Sequence, residues 1–314
     1  MDNRSQSIIE MEQTEYQKKM DLLGLQEHNL FEIEYSKVVN FTSVLSAKYG
    51  RESVLDERSF LLRTITRMTN LMKSVYVIFQ TTTDRASMMI LTRSIIDLNA
   101  IICFLFDFVK DKDERHLRFL LYYLDGVRTR LKISGEPLKE RDPSVISEEE
   151  YNATQKQMDD AKDADIKAIQ DIEARIKVTP LFPQMHHSIM ENASWRFKRI
   201  SSKGDYSWTN LYEIAAGERK MAQFEQMFLS HYVHGAAISD FQFSVINETN
   251  PVFTLNICCS ILYHLERIIR NWFPGEYDEL EEAHKHLLVD TLLENMPSES
   301  LKEYLKMRGN GAES

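Results

Sequence analysis

The chain has 314 residues, with 38 Lys and Arg against 48 Asp and Glu and a formal net charge of −10. This acidic balance argues against a general nucleic-acid coat protein, which would present a basic surface, but it leaves room for a local basic patch. Cys103, Cys258 and Cys259 are too few for a disulfide framework, and the stretch MDNRSQSIIEMEQTEY lacks the apolar core of a signal peptide, so we expect a cytoplasmic protein.

The chain is poor in glycine and proline, with ten Gly and seven Pro. Together they make up roughly 5% of the residues, against about 12% in average proteins. Because few turns imply long elements, we predict an all-α fold: a multi-helix bundle with one nearly fully buried central helix and a charged peripheral helix. We interpret residues 1–314 as a single helical domain, with an N-terminal helical extension at 1–54, a core bundle at 55–240 and C-terminal helices at 251–307.

Apolar residues recur at three- and four-residue steps along most of the chain, which is the spacing of amphipathic helices. After the N-terminal extension, the predicted helices lie at about 56–82, 84–110, 113–133, 147–178, 207–239, 252–273 and from 276 onward. Asp56, Ser147 and Ser207 are candidate N-caps, and Ser147 with Glu150 has the pattern of a capping box. The helix at 147–178 is densely charged with a narrow apolar stripe, so we expect it at the periphery.

The most apolar segment runs from Met88 to Phe106 and is close to membrane-spanning length. Arg93 and Asp97 lie within it, and a charge at the middle of a bilayer costs roughly 2.5–3.5 kcal/mol. We therefore predict that this segment is the central helix of a bundle, and we expect no membrane partner.

Arg93 and Asp97 are the first candidates for a binding site. They are four residues apart, so they share one face of a helix. A buried charge must be paired, yet a buried pair rarely stabilises a fold relative to apolar residues. Two interpretations follow: a structural ion pair that holds neighbouring helices in register, or a polar pocket for a small anionic ligand.

Ser230 and His234 are the candidate catalytic residues. They also share one helix face, and Gly235 follows His234 directly. An imidazole titrates near physiological pH and suits acid–base catalysis, with Ser230 as the candidate nucleophile. No third orienting group is visible in the sequence. The alternative is a histidine that is hydrogen-bonded within the bundle.

Aromatic and basic residues alternate in the segment Trp195-Arg196-Phe197-Lys198-Arg199. This mixture suits phosphate contact and base stacking, which makes Arg196, Lys198 and Arg199 candidates for a local nucleic-acid contact. Ordinary packing of the aromatic rings is the alternative.

The sequence contains no recognised metal or cofactor motif. The patterns GxGxxG, GxxxxGK[ST], HExxH and GxSxG do not occur. His186, His187 and Glu191 place only two ligands on one helix face, too few for zinc. Glu282, His284 and His286 lie in a charged surface pattern. We expect neither a metal ion nor a cofactor.

Arg93 and Asp97 lie one turn apart in an apolar helix, Trp208 opens a later helix, and a Ser-x-x-x-His-Gly pattern contains Ser230 and His234. Together these patterns resemble a bacterial all-helical family, the domain of unknown function 5677, over roughly residues 55–240. That family usually carries Glu where this chain has Asp97. The resemblance implies a helical bundle in which Arg93, Asp97, Trp208 and His234 converge, and it implies no established activity.

Three functional hypotheses follow. The leading one is a non-enzymatic binding or interaction module, in which Arg93 engages an anionic group, Asp97 orients it, Trp208 forms an apolar wall and His234 completes the pocket. The second is a hydrolase or nuclease-like effector of a bacterial stress or phage-defence system, with His234 as the acid or base. The third is a structural subunit of a helical homo-oligomer, with the helix at 147–178 as the contact.

Overall fold

The structure is a computed structural model that describes residues 27–50, 53, 55–82, 84–134, 144–217 and 250–295. These residues form helices and their connections, with a single antiparallel bridge between Phe197 and Asp205. The all-α prediction is confirmed. In chain order the helices are α1 (Glu27–Tyr49), α2 (Glu57–Thr81), α3 (Arg85–Ile102), α4 (Lys112–Ser134), α5 (Glu148–Lys177), α6 (His187–Glu191), α7 (Trp208–Ala216), α8 (Asn250–Trp272) and α9 (Pro274–Asn295).

Local side-chain chemistry sets where several helices begin and end. Asp56 accepts a hydrogen bond from the Ser59 amide at the start of α2, and Ser147 forms the predicted capping box with Glu150 at the start of α5. Ser207 caps α7, as predicted. The prediction that this helix continues to residue 239 is wrong: Gly217, with φ of 71°, takes the left-handed conformation that ends α7 after Ala216.

Helix α3 contacts α2, α7 and α8. Its first half leaves Ile90 and Ser94 exposed, whereas every side chain from residue 99 to residue 106 is buried. From Cys103 to Phe108 the helix widens into a π-helical stretch. The helix is therefore partly exposed in its first half and buried on all sides from residue 99 to residue 106.

Helices α1, α8 and α9 belong to the same continuous core as the helices between them. Phe31, Val38, Phe41 and Leu45 of α1 are each about 1% exposed. The predicted limits at residues 54 and 251 therefore do not mark separate cores within the part of the chain that is described.

A polar network joins α1 to α8 and α9. Lys37 donates to the buried carboxylate of Glu266 at 2.6 Å, and the Tyr277 hydroxyl donates to the same carboxylate. Burial alone would raise the pKa of Glu266, but the charge of Lys37 and these hydrogen bonds hold that pKa below its usual value. The ionised network thus fixes how α1 lies against α8.

Helix α5 packs along α4 by one face, with Ile172 and Ile176 buried. The buried carboxylate of Asp165 accepts two hydrogen bonds from the Arg130 guanidinium of α4 at Nε, at 3.0 and 2.9 Å, and a third at Nη2. No side chain between residues 148 and 164 is buried. The buried face of α5 is therefore narrow, as its densely charged sequence predicts.

Two helices in the described ranges are long and apolar enough to cross a membrane, Arg85–Phe108 and Val252–Trp272. About two thirds of the most apolar window of each is buried inside the bundle (67% and 61%), a property that core helices share. The cytoplasmic location stays a prediction.

Arg118 of α4 is the largest fully buried side chain in the described structure. Its Nη1 and Nη2 atoms donate to the backbone carbonyls of Trp195 and Phe197 at 2.9 and 2.8 Å, and Nε and Nη2 donate to Glu114 at 2.9 and 2.6 Å. The guanidinium also lies 3.7 Å from the centroid of the Phe197 ring. Arg118 therefore attaches the irregular segment between α6 and α7 to the bundle.

We expect Arg118→Lys to lower the free energy of unfolding by about 2–4 kcal/mol, because an ammonium group cannot reproduce the divergent donors of the guanidinium and leaves buried carbonyls unpaired. Urea denaturation followed by circular dichroism measures the change. Arg199→Lys, an exposed position in the same segment, is the matched control and should change stability by no more than about 0.5 kcal/mol. Equal midpoints for the two variants would contradict the assigned role of Arg118.

Candidate functional site

Arg93 and Asp97 lie on the polar face of α3 and form an ion pair, as their spacing predicts. A third residue closes the cluster: the Arg93 Nη2 atom donates to the hydroxyl of Tyr212 on α7 at 2.7 Å, and that hydroxyl donates to Asp97 Oδ1 at 2.5 Å. The guanidinium lies 5.0 Å from the centroid of the Tyr212 ring. Arg93, Asp97 and Tyr212 thus join α3 to α7, and we call them the α3–α7 cluster.

The electrostatics of the α3–α7 cluster follow from partial burial. Desolvation disfavours the charge on Arg93, but the hydrogen bonds from Arg93 to Asp97 and Tyr212 and the nearby negative charge keep its pKa above the usual value. Burial, followed by the hydrogen bond to Asp97, raises the pKa of Tyr212. Tyr212 is therefore a neutral donor and Arg93 a permanent cation at physiological pH.

The cluster is open to solvent on the side of its carboxylate. The side chain of Asp97 is 38% exposed, against 14% for Arg93. Since both terminal nitrogens of Arg93 already donate to groups of this chain, the acid rather than the guanidinium is the accessible member of the pair.

Trp208 extends the α3–α7 cluster along α7. It lies one turn before Tyr212, and the two rings stack with centroids 5.9 Å apart. The indole is 39% exposed. Trp208 has two further neighbours. The Arg196 guanidinium lies 5.4 Å from the centroid of the Trp208 ring, and the Trp195 ring packs edge-on against the Trp208 ring with centroids 6.3 Å apart. The structure therefore brings together Arg93, Asp97 and Trp208, as the sequence suggested, through Tyr212.

Backbone hydrogen bonds hold the segment that carries Arg196. The amide of Tyr206 donates to the carbonyl of Arg196 at 2.7 Å, and the Arg196 Nη1 atom donates to the carbonyl of Tyr206 at 3.1 Å. Arg196 is thus fixed over Trp208 by its own chain, while its Nε and Nη2 atoms make no hydrogen bond within the described residues.

The alternating aromatic residues of this segment serve packing. Trp195 and Phe197 are 5% and 1% exposed, and Phe197 contacts Arg118 of the core. Buried rings cannot stack on nucleic-acid bases. Lys198 and Arg199 are exposed, and their role as nucleic-acid contacts stays a prediction.

Ser230 and His234 lie outside the described residues, so their placement relative to Arg93 and Asp97 stays a prediction. Across the ranges that the structure does describe, no three His, Cys, Asp or Glu side chains group as metal ligands. His186 instead acts locally, accepting a hydrogen bond from the Ser188 amide at the start of α6.

Tyr212 and Arg118 were not identified from the sequence. For Tyr212 a signal existed, because it lies four residues after Trp208 and therefore shares its helix face. For Arg118 the sequence offered none: it follows Glu114 in an ordinary charged pattern, and its carbonyl partners are about eighty residues away.

Comparison of the chain with family models, curated proteins and solved structures finds no match. The resemblance to the domain of unknown function 5677 therefore stays a prediction based on short patterns.

We expect Tyr212→Phe to lower the free energy of unfolding by about 1–2 kcal/mol, because Asp97 and Arg93 each lose a hydrogen-bonding partner in a partly buried site. Tyr151→Phe, a tyrosine on the sparsely packed part of α5, is the matched control. Chemical denaturation at pH 7 measures both.

The same variant has an alkaline signature. A tyrosine with a raised native pKa stabilises the fold fully below its unfolded pKa of about 10, and this stabilisation is lost as the pH rises toward the native pKa. Between pH 9.5 and 11, roughly the range set by that unfolded value, wild-type stability should fall more steeply than that of Tyr212→Phe. Parallel slopes for wild type and variant would mean that Tyr212 is not protected by the cluster.

Proposed function

We propose that the chain is a non-enzymatic helical binding module, whose ligand contacts the surface formed by Asp97, Arg196 and Trp208. Arg196, whose Nε and Nη2 donors are uncommitted, lies over the partly exposed indole of Trp208. Trp208 stacks on Tyr212, which donates to the partly exposed carboxylate of Asp97. This row of contacts is the observation that supports the proposal. A partly buried ion pair rarely stabilises a fold relative to apolar residues, so its presence supports a role in positioning groups for binding.

Each residue has a distinct role in this proposal. Arg196 binds the anionic group of a small ligand through its Nε and Nη2 donors, Trp208 provides an apolar wall, and Asp97 accepts a hydrogen bond that orients the ligand. Arg93 and Tyr212 act as positioning residues, because their donors hold Asp97 in place. The anion-binding role that the sequence suggested for Arg93 is thereby assigned to Arg196.

The other two hypotheses stay predictions. An enzymatic role depends on Ser230 and His234, which lie outside the described residues. Assembly through α5 depends on the sparsely packed half at 148–164, whose exposed side chains are mainly polar and charged.

Native mass spectrometry of the gently purified chain tests the proposed function. We expect a bound small molecule in the wild type, lost in both Arg196→Gln and Asp97→Asn. The first variant removes the charge that binds the anion, and the second removes the charge that pairs with Arg93 and holds residue 97 in place. Arg199→Gln and Asp163→Asn make the same chemical changes at exposed positions and should retain the ligand. A ligand-free wild type, or a ligand kept by all four variants, would contradict the proposal.

A further inference from the structure

A second polar site lies where α2 and α4 begin and α8 ends. A cleft of about 520 Å³ opens there, a volume in the range of small-molecule sites. Its charged lining has three cations, Arg58, Lys112 and Arg115, and two acids, Asp56 and Glu57, with the imidazole of His116 beside them. In a chain with a net charge of −10, this is a local reversal of charge.

The two acids of the cleft are already engaged. Asp56 accepts a hydrogen bond from the Ser59 amide at 2.6 Å as the cap of α2. Glu57 pairs with the Nε atom of Arg115 at 3.4 Å and with Nδ1 of His116 at 2.8 Å. Within the described residues, neither Arg58 nor Lys112 has a carboxylate at ion-pair distance.

Aromatic rings hold the two arginines of the cleft in place. The Arg115 guanidinium lies 4.6 Å from the centroid of Trp272, and the Trp272 indole N–H donates to the Phe106 carbonyl at 3.2 Å. The Arg58 guanidinium lies 5.3 Å from the centroid of Tyr49. Stacking of this kind leaves the edge of a guanidinium available, and the Nη atoms of Arg115 make no hydrogen bond to any described residue.

The ends of two helices add to the positive electrostatic potential of the basic side chains. Both α2 and α4 begin at the cleft, so the positive ends of two helix dipoles lie beside the basic side chains. The caps Asp56 and Asp111 offset part of this potential at the two helix starts, so the basic side chains supply most of the attraction for an anion.

We propose that this cleft binds the phosphate group of a small phosphorylated molecule. Arg58 and Arg115 bind the phosphate oxygens through their guanidinium edges, and Lys112 adds a third positive charge. A dianionic phosphate is attracted more strongly to several cations in one cleft than a singly charged carboxylate is. The volume of the cleft exceeds that of a phosphate group alone, which favours a phosphate ester over the free ion.

The site shares no residue with the surface formed by Asp97, Arg196 and Trp208, and the proposal is independent of the proposed function.

Isothermal titration calorimetry on the full chain tests this inference with three probes, AMP, inorganic phosphate and sodium sulfate, each at the same ionic strength. We expect AMP to bind more tightly than the two inorganic ions. The double variant Arg58→Gln, Lys112→Gln should weaken AMP binding by about tenfold or more, because it removes two charged contacts. The control double variant Lys73→Gln, Lys203→Gln has the same change in net charge at exposed positions and should bind AMP as the wild type does.

The outcomes separate cleanly. AMP binding that is lost in the cleft variant and kept in the control double variant supports the phosphate site. Equal affinity for AMP and sulfate, equal weakening in both double variants, or no AMP binding to the wild type would overturn it. Tighter binding of inorganic phosphate than of AMP would overturn the assignment of a phosphate ester. Matching thermal unfolding curves for the two double variants show that any loss is not a failure to fold.

Discussion

The contacts of the buried Arg118 guanidinium determine where the segment between α6 and α7 lies on the bundle. Burying a cation is costly unless its donors are satisfied, and here Glu114 supplies the countercharge while the carbonyls of Trp195 and Phe197 supply the remaining acceptors. The segment between α6 and α7 has little regular structure of its own. Its position on the bundle, and hence the position of Arg196, follows from this contact.

The same segment leads directly into α7, and α7 completes the polar cluster of α3. Tyr212 reaches Arg93 and Asp97 only because α7 lies against α3. The contact of Arg118 with this segment therefore also determines where α7 begins, and α7 carries the Tyr212 side chain of the α3–α7 cluster. This continuity explains how an irregular stretch can present Arg196 and Trp208 in a defined geometry.

The two proposed sites differ in how their charges are managed. In the α3–α7 cluster, Asp97 neutralises the charge of Arg93. The groups that a ligand can reach are the Asp97 carboxylate and, beyond the cluster, the Arg196 guanidinium. In the cleft at the start of α2 and α4, Glu57 neutralises only part of the basic lining, so a positive potential remains. The first arrangement favours a ligand with mixed polarity, and the second favours a multiply charged anion.

The sequence by itself determined the helical class, the N-caps at Asp56, Ser147 and Ser207, and the pairing of Arg93 with Asp97. The helical class follows from the scarcity of Gly and Pro and from the repeated apolar spacing. The caps and the ion pair depend on residues within about one helical turn of each other, so local spacing is sufficient to predict them. Only the tertiary structure decided that Tyr212 joins that pair, that Arg118 is buried rather than solvated, and that Arg58, Lys112 and Arg115 meet in one cleft. Those contacts join residues far apart in the chain, and their formation depends on how the helices pack, which no short pattern encodes.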